Sequence, residues 1–403
     1  MSKRGALVLV TLAHGLGSLA VLAVAPLSPF LLDGLALSRM EVGLLLPAAY
    51  LGGVLMSLPA GWVTERRGVR PSLIAGQVLT GAMVVVAALA RDLAAMLVCL
   101  VIAGFGFAVL NPATGKAIIE WFPPRERGQA MGIKQAGLTF GGMASAAVLP
   151  PVAVGLGWRS ALAVAGGAAL VSALLLALFY RDPPARPVPP PALPTALADV
   201  GPFLRRRGVM VVFLCGLALS LVQSGVLAYL VLAMRDTFGV SVVDAARLLA
   251  VAHLGGAVGR LGWGFVSDRL FDGRRRPGLT INALLAVAAL GGLALGAALP
   301  PVLLPALALL AGIAAFGWVG LYLALVAEIG GSRSAGLLTG FAVIFSWGGV
   351  LIGPPLFGIV LHATDSYRVA WLVLAVAALV VAVTLPRLQP LVQREPATER
   401  AAS

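Results

Sequence analysis

Twelve long apolar runs are the feature that most constrains what this sequence can fold into. At a helical rise of about 1.5 Å per residue, each run can cross the roughly 30 Å hydrocarbon core of a bilayer. Only 11% of the 403 residues are charged and the mean hydropathy is +1.00, so one soluble core could not bury the apolar surface. The sequence predicts an all-α membrane protein with spans at 6–30, 42–62, 71–90, 94–119, 130–155, 159–180, 208–233, 243–266, 279–299, 302–328, 336–361 and 368–386.

A stretch rich in proline and arginine divides the runs into two sets of six. Such a composition cannot form a span and favours an extended linker. The sequence predicts an N-terminal half at 1–180, a cytoplasmic linker at 181–207, a C-terminal half at 208–386 and a cytoplasmic tail at 387–403.

An internal repeat relates the two sets. Residues 50–66 (YLGGVLMSLPAGWVTER) and residues 253–269 (HLGGAVGRLGWGFVSDR) are identical at 7 of 17 positions without a gap. Two related six-helix halves with a substrate site between them are typical of transporters. The repeat therefore predicts twelve transmembrane helices in two pseudo-symmetric halves.

Lysine and arginine are distributed unevenly between the connecting segments. With both termini inside, 20 of the 29 basic residues fall on the cytoplasmic side, 6 on the outer side and 3 within spans. This asymmetry predicts a multi-pass protein of the cell inner membrane with both termini cytoplasmic. It also accounts for most of the net charge of +13 without a nucleic-acid partner.

Several function classes lack support in the sequence. Cys99 and Cys215 lie within apolar runs, which argues against a disulfide framework or a cysteine-based metal site. The absence of a Gly-x-x-x-x-Gly-Lys-Ser/Thr motif argues against ATP-driven pumping. No Ser/His/Asp or paired-carboxylate arrangement indicates an enzyme, and no cofactor is predicted.

Three motifs resemble those of the major facilitator superfamily. The stretch 61–70, Gly-x-x-x-Glu-Arg-x-Gly-x-Arg, resembles the superfamily's loop after helix 2, with Glu65 in place of the usual Asp. Residues 264–269 form the partner copy after helix 8, and residues 104–112 resemble the helix 4 pattern. The resemblance implies the twelve-helix fold and transport by alternating access.

Charged residues at the inner helix ends are the predicted gate. They are Glu65, Arg66, Asp268, Arg269 and Glu328. Charges at such positions can hold the two halves together in one state and release them in another. The alternative is that they only determine topology.

The helix 8 sequence Gly-Arg-Leu-Gly-Trp-Gly at 259–264 resembles the oxalate/formate exchangers and monocarboxylate transporters. In those families the arginine binds the substrate carboxylate, which implies this role for Arg260. Trp318 and Tyr322 resemble an aromatic pair that walls the same pocket. This chain departs from the oxalate exchanger because residues 336–361 contain no lysine.

Arg260 is also the strongest candidate from its residue type. An arginine within a span costs about 2.5 kcal/mol or more, and its planar fork suits a carboxylate. The alternative is an arginine that extends to the inner surface or braces Asp268. His253 lies seven residues earlier on nearly the same face, where a bound anion would favour its protonation; it could instead be a neutral packing histidine. Tyr50 and Asn111 are further candidates for the site.

Three other titratable residues lie in or near spans. Lys116 and Lys134 flank the loop after helix 4, and the favoured interpretation is that both extend to the inner headgroups. A second anion-binding charge in the central cavity is the alternative. His14 in helix 1 is a weaker candidate.

The sequence therefore predicts a secondary active transporter of a small organic anion. One buried arginine favours a monocarboxylate as the substrate. Proton symport through His253 is the predicted coupling. The lipid bilayer is the predicted surroundings of the spans. One alternative is an exporter of hydrophobic or drug-like compounds, which a mid-span carboxylate would favour. Another is a non-transporting membrane receptor, which a long signalling appendage would favour.

Overall fold

The computed structural model describes residues 1–183 and 207–388, without the side chains of Pro124 and residues 331–337. Most of the predicted linker and tail, at 184–206 and 389–403, lies outside these ranges. The helices of the described parts are α1 (Lys3–Leu22), α2 (Ser28–Gly34), α3 (Arg39–Arg67), α4 (Val69–Ala87), α5 (Leu93–Phe107), α6 (Leu110–Trp121), α7 (Pro124–Leu156), α8 (Trp158–Phe179), α9 (Arg207–Phe238), α10 (Val242–Leu270), α11 (Arg275–Leu295), α12 (Leu304–Phe316), α13 (Val319–Thr364) and α14 (Tyr367–Arg387).

These helices make twelve crossings, which confirms the predicted fold class. The described residues contain eleven stretches that are long and apolar enough to span a membrane. One of them, at 125–179, contains both α7 and α8 and therefore counts twice. Gly157 separates the two helices with a φ of +82°, a conformation that glycine adopts at little steric cost.

Three spans consist of more than one helix, which the apolar runs did not predict. Span 1 is α1 with α2, span 4 is α5 with α6, and span 10 is α12 with the start of α13. Span 11 is the rest of α13, and each remaining span is one helix. Spans 4 and 10 are broken at matching places in the two halves. Such breaks leave backbone carbonyls near the middle of the membrane without helical partners.

The packing of the spans repeats between the halves. In the N-terminal half, span 1 packs on span 5, span 2 on span 4, and span 3 on span 6. In the C-terminal half, span 7 packs on span 11, span 8 on span 10, and span 9 on span 12. The halves meet where span 2 packs on span 11 and span 5 on span 8. The pseudo-symmetry that relates the halves maps the interface of spans 2 and 11 onto the interface of spans 8 and 5, as the sequence repeat implies.

Glycine allows close backbone contact within the pairs 2·4 and 8·10. A Cβ atom at Gly104 in span 4 would overlap the carbonyl oxygen of Ala49 in span 2. A Cβ atom at Gly312 in span 10 would overlap the carbonyl oxygen of Ala252 in span 8. Small residues bring membrane helices together in this way and tie each pair into one packed unit.

Candidate functional site

Arg260 in span 8 joins elements of both halves. Its Nε donates to the carbonyl oxygen of Phe316 at 3.0 Å, and its Nη1 donates to Thr139 Oγ1 in span 5 at 3.1 Å. Phe316 is the last residue of α12, so the break in span 10 supplies the carbonyl acceptor. Asp268 pairs with Arg275 instead. Arg260 therefore lies between the halves and does not brace the loop at Asp268.

His253 lies beside Arg260's partners at the same interface. Its ring stacks on Phe316 with centroids 5.1 Å apart, and its side chain faces Gly142 in span 5. The equivalent residue of the first half, Tyr50, meets Trp347 in span 11 at a centroid distance of 6.0 Å. Each of the two interfaces between the halves therefore contains a ring at the repeated position, His253 between spans 8 and 5 and Tyr50 between spans 2 and 11.

Lys134 in span 5 provides a second positive charge in the N-terminal half. It is 4% exposed, and its Nζ donates to Asn111 Oδ1 in span 4 at 3.3 Å. The prediction that Lys134 extends to the headgroups is therefore wrong, because Asn111 holds the ammonium group inside the protein. Asn111 itself is exposed at the start of α6. The other lysine, Lys116, pairs with Glu65 at 2.8 Å.

His14 in span 1 is fully buried next to this charge. Neither of its ring nitrogens has a hydrogen-bond partner among the described residues. The residue after it, Gly15, lies against the backbone of Gly137 in span 5, three residues after Lys134. A buried polar group without a partner is unfavourable, so His14 marks a place where a donor or acceptor is missing.

Trp318 and Tyr322 make their contacts with span 7. Their rings are 5.2 Å apart and each residue is 1% exposed. Trp318 Nε1 donates to Gln223 Oε1 at 3.0 Å, and the Tyr322 ring lies against Gly216. A role for this pair in the pocket wall stays a prediction.

The predicted gating residues pair within their own halves. Besides the Lys116–Glu65 pair, Arg275 binds Asp268 at 2.6 Å and Glu328 at 2.8 Å. We call the end of the spans that carries these residues the inner end, following the charge distribution.

The two gating arginines lie over aromatic rings. Arg66 is 4.1 Å from the Trp62 ring centroid, and Arg269 is 4.7 Å from that of Phe265. Both rings belong to exposed residues. The two copies of the loop motif therefore make matching cation–π contacts.

The opposite, outer end carries the ion pairs between the halves. Arg39 at the start of span 2 binds Asp236 at 3.2 Å and Asp365 at 2.9 Å. Arg235 at the end of span 7 reaches Asp33 at 3.3 Å. Within the described ranges, the inner-end ion pairs all stay inside one half. With the orientation predicted from the charge distribution, we infer from these ion pairs an inward-facing state.

The whole arrangement of twelve spans, matched loops and a charged interface has a counterpart among known proteins. Residues 7–354 match the profile of the Major Facilitator Superfamily. The chain belongs to this superfamily. The finer resemblance to the oxalate/formate exchangers stays a prediction.

Relatives of known name lie within the superfamily at modest identity. A hexuronate transporter of Bacillus subtilis is 22% identical over 395 residues, which is 94% of this chain and 92% of the relative. The membrane sensor protein UhpC of Salmonella typhimurium is 27% identical over 389 residues, covering 91% and 87%. A solved bacterial homolog of the human lysosomal transporter Spinster, inward-facing and unoccupied, matches with a TM-score of 0.81 at 19% identity, covering 95% and 96%; this likeness shows the fold.

Sequence reasoning missed the partners of Arg260. Thr139 and Phe316 contact Arg260, but neither residue type stands out in an apolar run. The outer ion pairs left a weak signal, since Arg39 and Asp365 both lie next to span ends. Periodicity assigns a face to a helix without saying which other helix that face meets.

Proposed function

We propose that the chain is a secondary transporter that carries a small organic acid through the membrane by alternating access. The observation that supports it most directly is the position of Arg260. Its guanidinium contacts both halves, and no acidic side chain in the described parts lies within salt-bridge distance. An uncompensated cation at this depth favours a bound anion.

The chemistry of the guanidinium favours a carboxylate. Arginine has five N–H donors in a planar fork, and the Phe316 and Thr139 bonds use two of them. Nη1 can exchange the neutral Thr139 hydroxyl for a carboxylate oxygen and gain a charge-assisted bond. In its finer form the proposal is a monocarboxylate, because Arg260 balances one negative charge.

The relatives support the same chemical class. A hexuronate is a sugar acid with one carboxylate, and the named transporter relative aligns over nearly the whole chain. The acidic residues of the described spans lie near the ends of the spans. The exporter alternative, which a mid-span carboxylate would favour, is therefore less well supported.

Proton coupling through His253 is the second part of the proposal. The His253 ring and the Arg260 guanidinium both contact Phe316. An anion bound at Arg260 would offset the positive charge that opposes protonation of His253. Binding of the acid and of a proton would then reinforce each other.

Uptake by purified protein in liposomes tests the proposal. We expect wild type to exchange external labelled D-galacturonate for internal unlabelled D-galacturonate. Arg260→Ala should abolish the exchange, and Arg260→Lys should lower the affinity about 10- to 100-fold, since one charge-assisted bond contributes about 1.5–3 kcal/mol. Arg247→Ala is the matched control, because this exposed arginine of the same helix pairs with Asp244. Equal exchange by wild type and Arg260→Ala would contradict the proposed site.

A sensor is the alternative function, because one relative is named as a membrane sensor protein. A sensor of this fold would bind the acid through Arg260 without carrying it across. The same liposomes distinguish the two functions. Binding measured by calorimetry together with no exchange would favour the sensor.

A further inference from the structure

We infer that the N-terminal half holds a second anion-binding site formed by Lys134, Asn111 and His14, and that the substrate is a two-ended anion bridging this site and Arg260. The inference rests on the proposed function and narrows its substrate class. It keeps the small organic acid bound by Arg260, and it takes the place of the monocarboxylate form because the substrate now carries two negative charges.

The first observation is the environment of the Lys134 ammonium. It is nearly fully buried, and its described hydrogen-bond partner is the neutral Asn111 side chain. No carboxylate of the described residues lies within 4.0 Å of it, whereas Lys3 and Lys116 each pair with a glutamate. An ammonium held inside the protein by a neutral amide lacks the counter-ion that buried charges normally have.

The second observation is the unpartnered imidazole of His14. Both nitrogens are buried, and neither forms a hydrogen bond within the described parts of the chain. Span 1, which carries this ring, packs on span 5, and the residue after His14, Gly15, lies against the backbone of Gly137, three residues after Lys134. A neutral imidazole offers one N–H donor, which an oxygen of an anionic ligand would satisfy.

The third observation is the spacing along span 5. Lys134 precedes Thr139 by five residues, which corresponds to about 7.5 Å of helix rise. Thr139 is the hydroxyl that Arg260 contacts. Five residues also turn the helix by about 140°, so a ligand that joins the two cations spans this rise and passes from the face of span 5 that carries Lys134 to the face that carries Thr139. Asn111, the hydrogen-bond partner of Lys134, is exposed.

The two positive charges belong to different halves. Lys134 and its neighbours lie on spans 1, 4 and 5, while Arg260 lies on span 8. A ligand with an anionic group at each end would neutralise both charges and connect the halves. A ligand with one carboxylate would satisfy Arg260 and leave Lys134 without a counter-ion.

Two acids with the same six-carbon skeleton test the inference by calorimetry of the full-length protein in detergent. D-galacturonate carries one carboxylate and galactarate carries two. We expect wild type to bind galactarate about tenfold or more tightly than galacturonate, since the second end adds charge-assisted bonds. Lys134→Gln should remove this preference by weakening galactarate binding alone, and Lys134→Arg should retain much of it.

Control variants separate the site from folding. Lys3→Gln removes an exposed lysine that pairs with Glu126 and should leave both affinities unchanged. Asn111→Leu should lower galactarate affinity with little effect on galacturonate, and it provides a second test if Lys134→Gln fails to fold.

The outcomes distinguish the inference from the proposed function. If Lys134→Gln and Asn111→Leu change the two affinities equally or not at all, while Arg260→Ala still abolishes galacturonate binding, the second site is wrong and the proposed function stands. If wild type binds neither acid, the second site and the proposed function are both contradicted.

Discussion

Arg260 of the C-terminal half donates a hydrogen bond to Thr139 of the N-terminal half across a distance of 3.1 Å. Its other bond, to the Phe316 carbonyl, stays within the C-terminal half. Any motion that separates span 5 from span 8 at this level breaks the first bond and preserves the second. In such a motion Arg260, the residue proposed to bind substrate, would lose its contact with the N-terminal half.

The outer ion pairs should stabilise the inward-facing state. Arg39→Gln removes both pairs that Arg39 makes with the C-terminal half. Exposed pairs contribute about 0.2–1 kcal/mol each, so the equilibrium should move toward the outward-facing state by about 2- to 30-fold. Pulsed electron paramagnetic resonance between spin labels at Arg91 and Val302 would measure it. Arg247→Gln, which breaks a pair inside one half, should not change the distances.

Asp268→Asn should shift the balance in the opposite direction. In the inward-facing state Arg275 keeps Glu328 as a partner, so the fold and expression should be retained. A latch that uses the Asp268 charge in the outward-facing state would be weakened, and the inward-facing population should rise. Labels at Arg125 and Arg387 would report the inner-end distances. Asp272→Asn in the same loop is the control, and unchanged distributions in Asp268→Asn would argue against gating.

His253→Gln should uncouple transport from protons. The variant keeps Arg260 and should therefore retain exchange of the acid. It should lose accumulation driven by an inwardly directed proton gradient, because the glutamine side chain does not titrate. His362→Gln, at the exposed outer end of span 11, should behave as wild type in both assays. Normal accumulation by His253→Gln would show that His253 does not carry the proton.

The orientation in the membrane that we propose rests on the charge asymmetry. Single cysteines introduced at Arg91 and Asp365 should react with an impermeant thiol reagent added to intact cells. Cysteines at Arg70, Arg276 and Arg186 (the last outside the described residues) should react after the membrane is permeabilised. The native Cys99 and Cys215 are buried and should give little background. Labelling at Arg186 in intact cells would reverse the proposed topology.

The fold was largely predictable because bilayer crossing imposes a length and a composition on each helix. The breaks at Phe107–Leu110 and Phe316–Val319 were not predictable, since apolar residues continue through both. The burial of Lys134 was also missed. Its place near the inner end of span 5 favoured the headgroups, and only the packing of span 4 against span 5 shows that Asn111 can hold it inside.

Fewer features of the candidate site were predictable, and the binding roles of its residues stay predictions. Arg260 stood out because a charge in a span is costly, and His253 followed from its helical spacing. The partners that give these residues their geometry come from other helices, with no fixed offset in sequence. Trp318 and Tyr322 illustrate the limit, because a shared helix face was inferred correctly while its neighbour, span 7, was not.

The glycine contact between spans 8 and 10 also has a mechanical meaning. With the Gly312 backbone against Ala252, the two helices cannot slide past each other without a steric clash. Arg260 and the Phe316 carbonyl therefore move together as parts of one rigid unit. In this arrangement the orientation of Arg260 relative to span 10 would be the same whichever compartment the substrate leaves toward. Release of the substrate would then depend on the contacts that the N-terminal half loses.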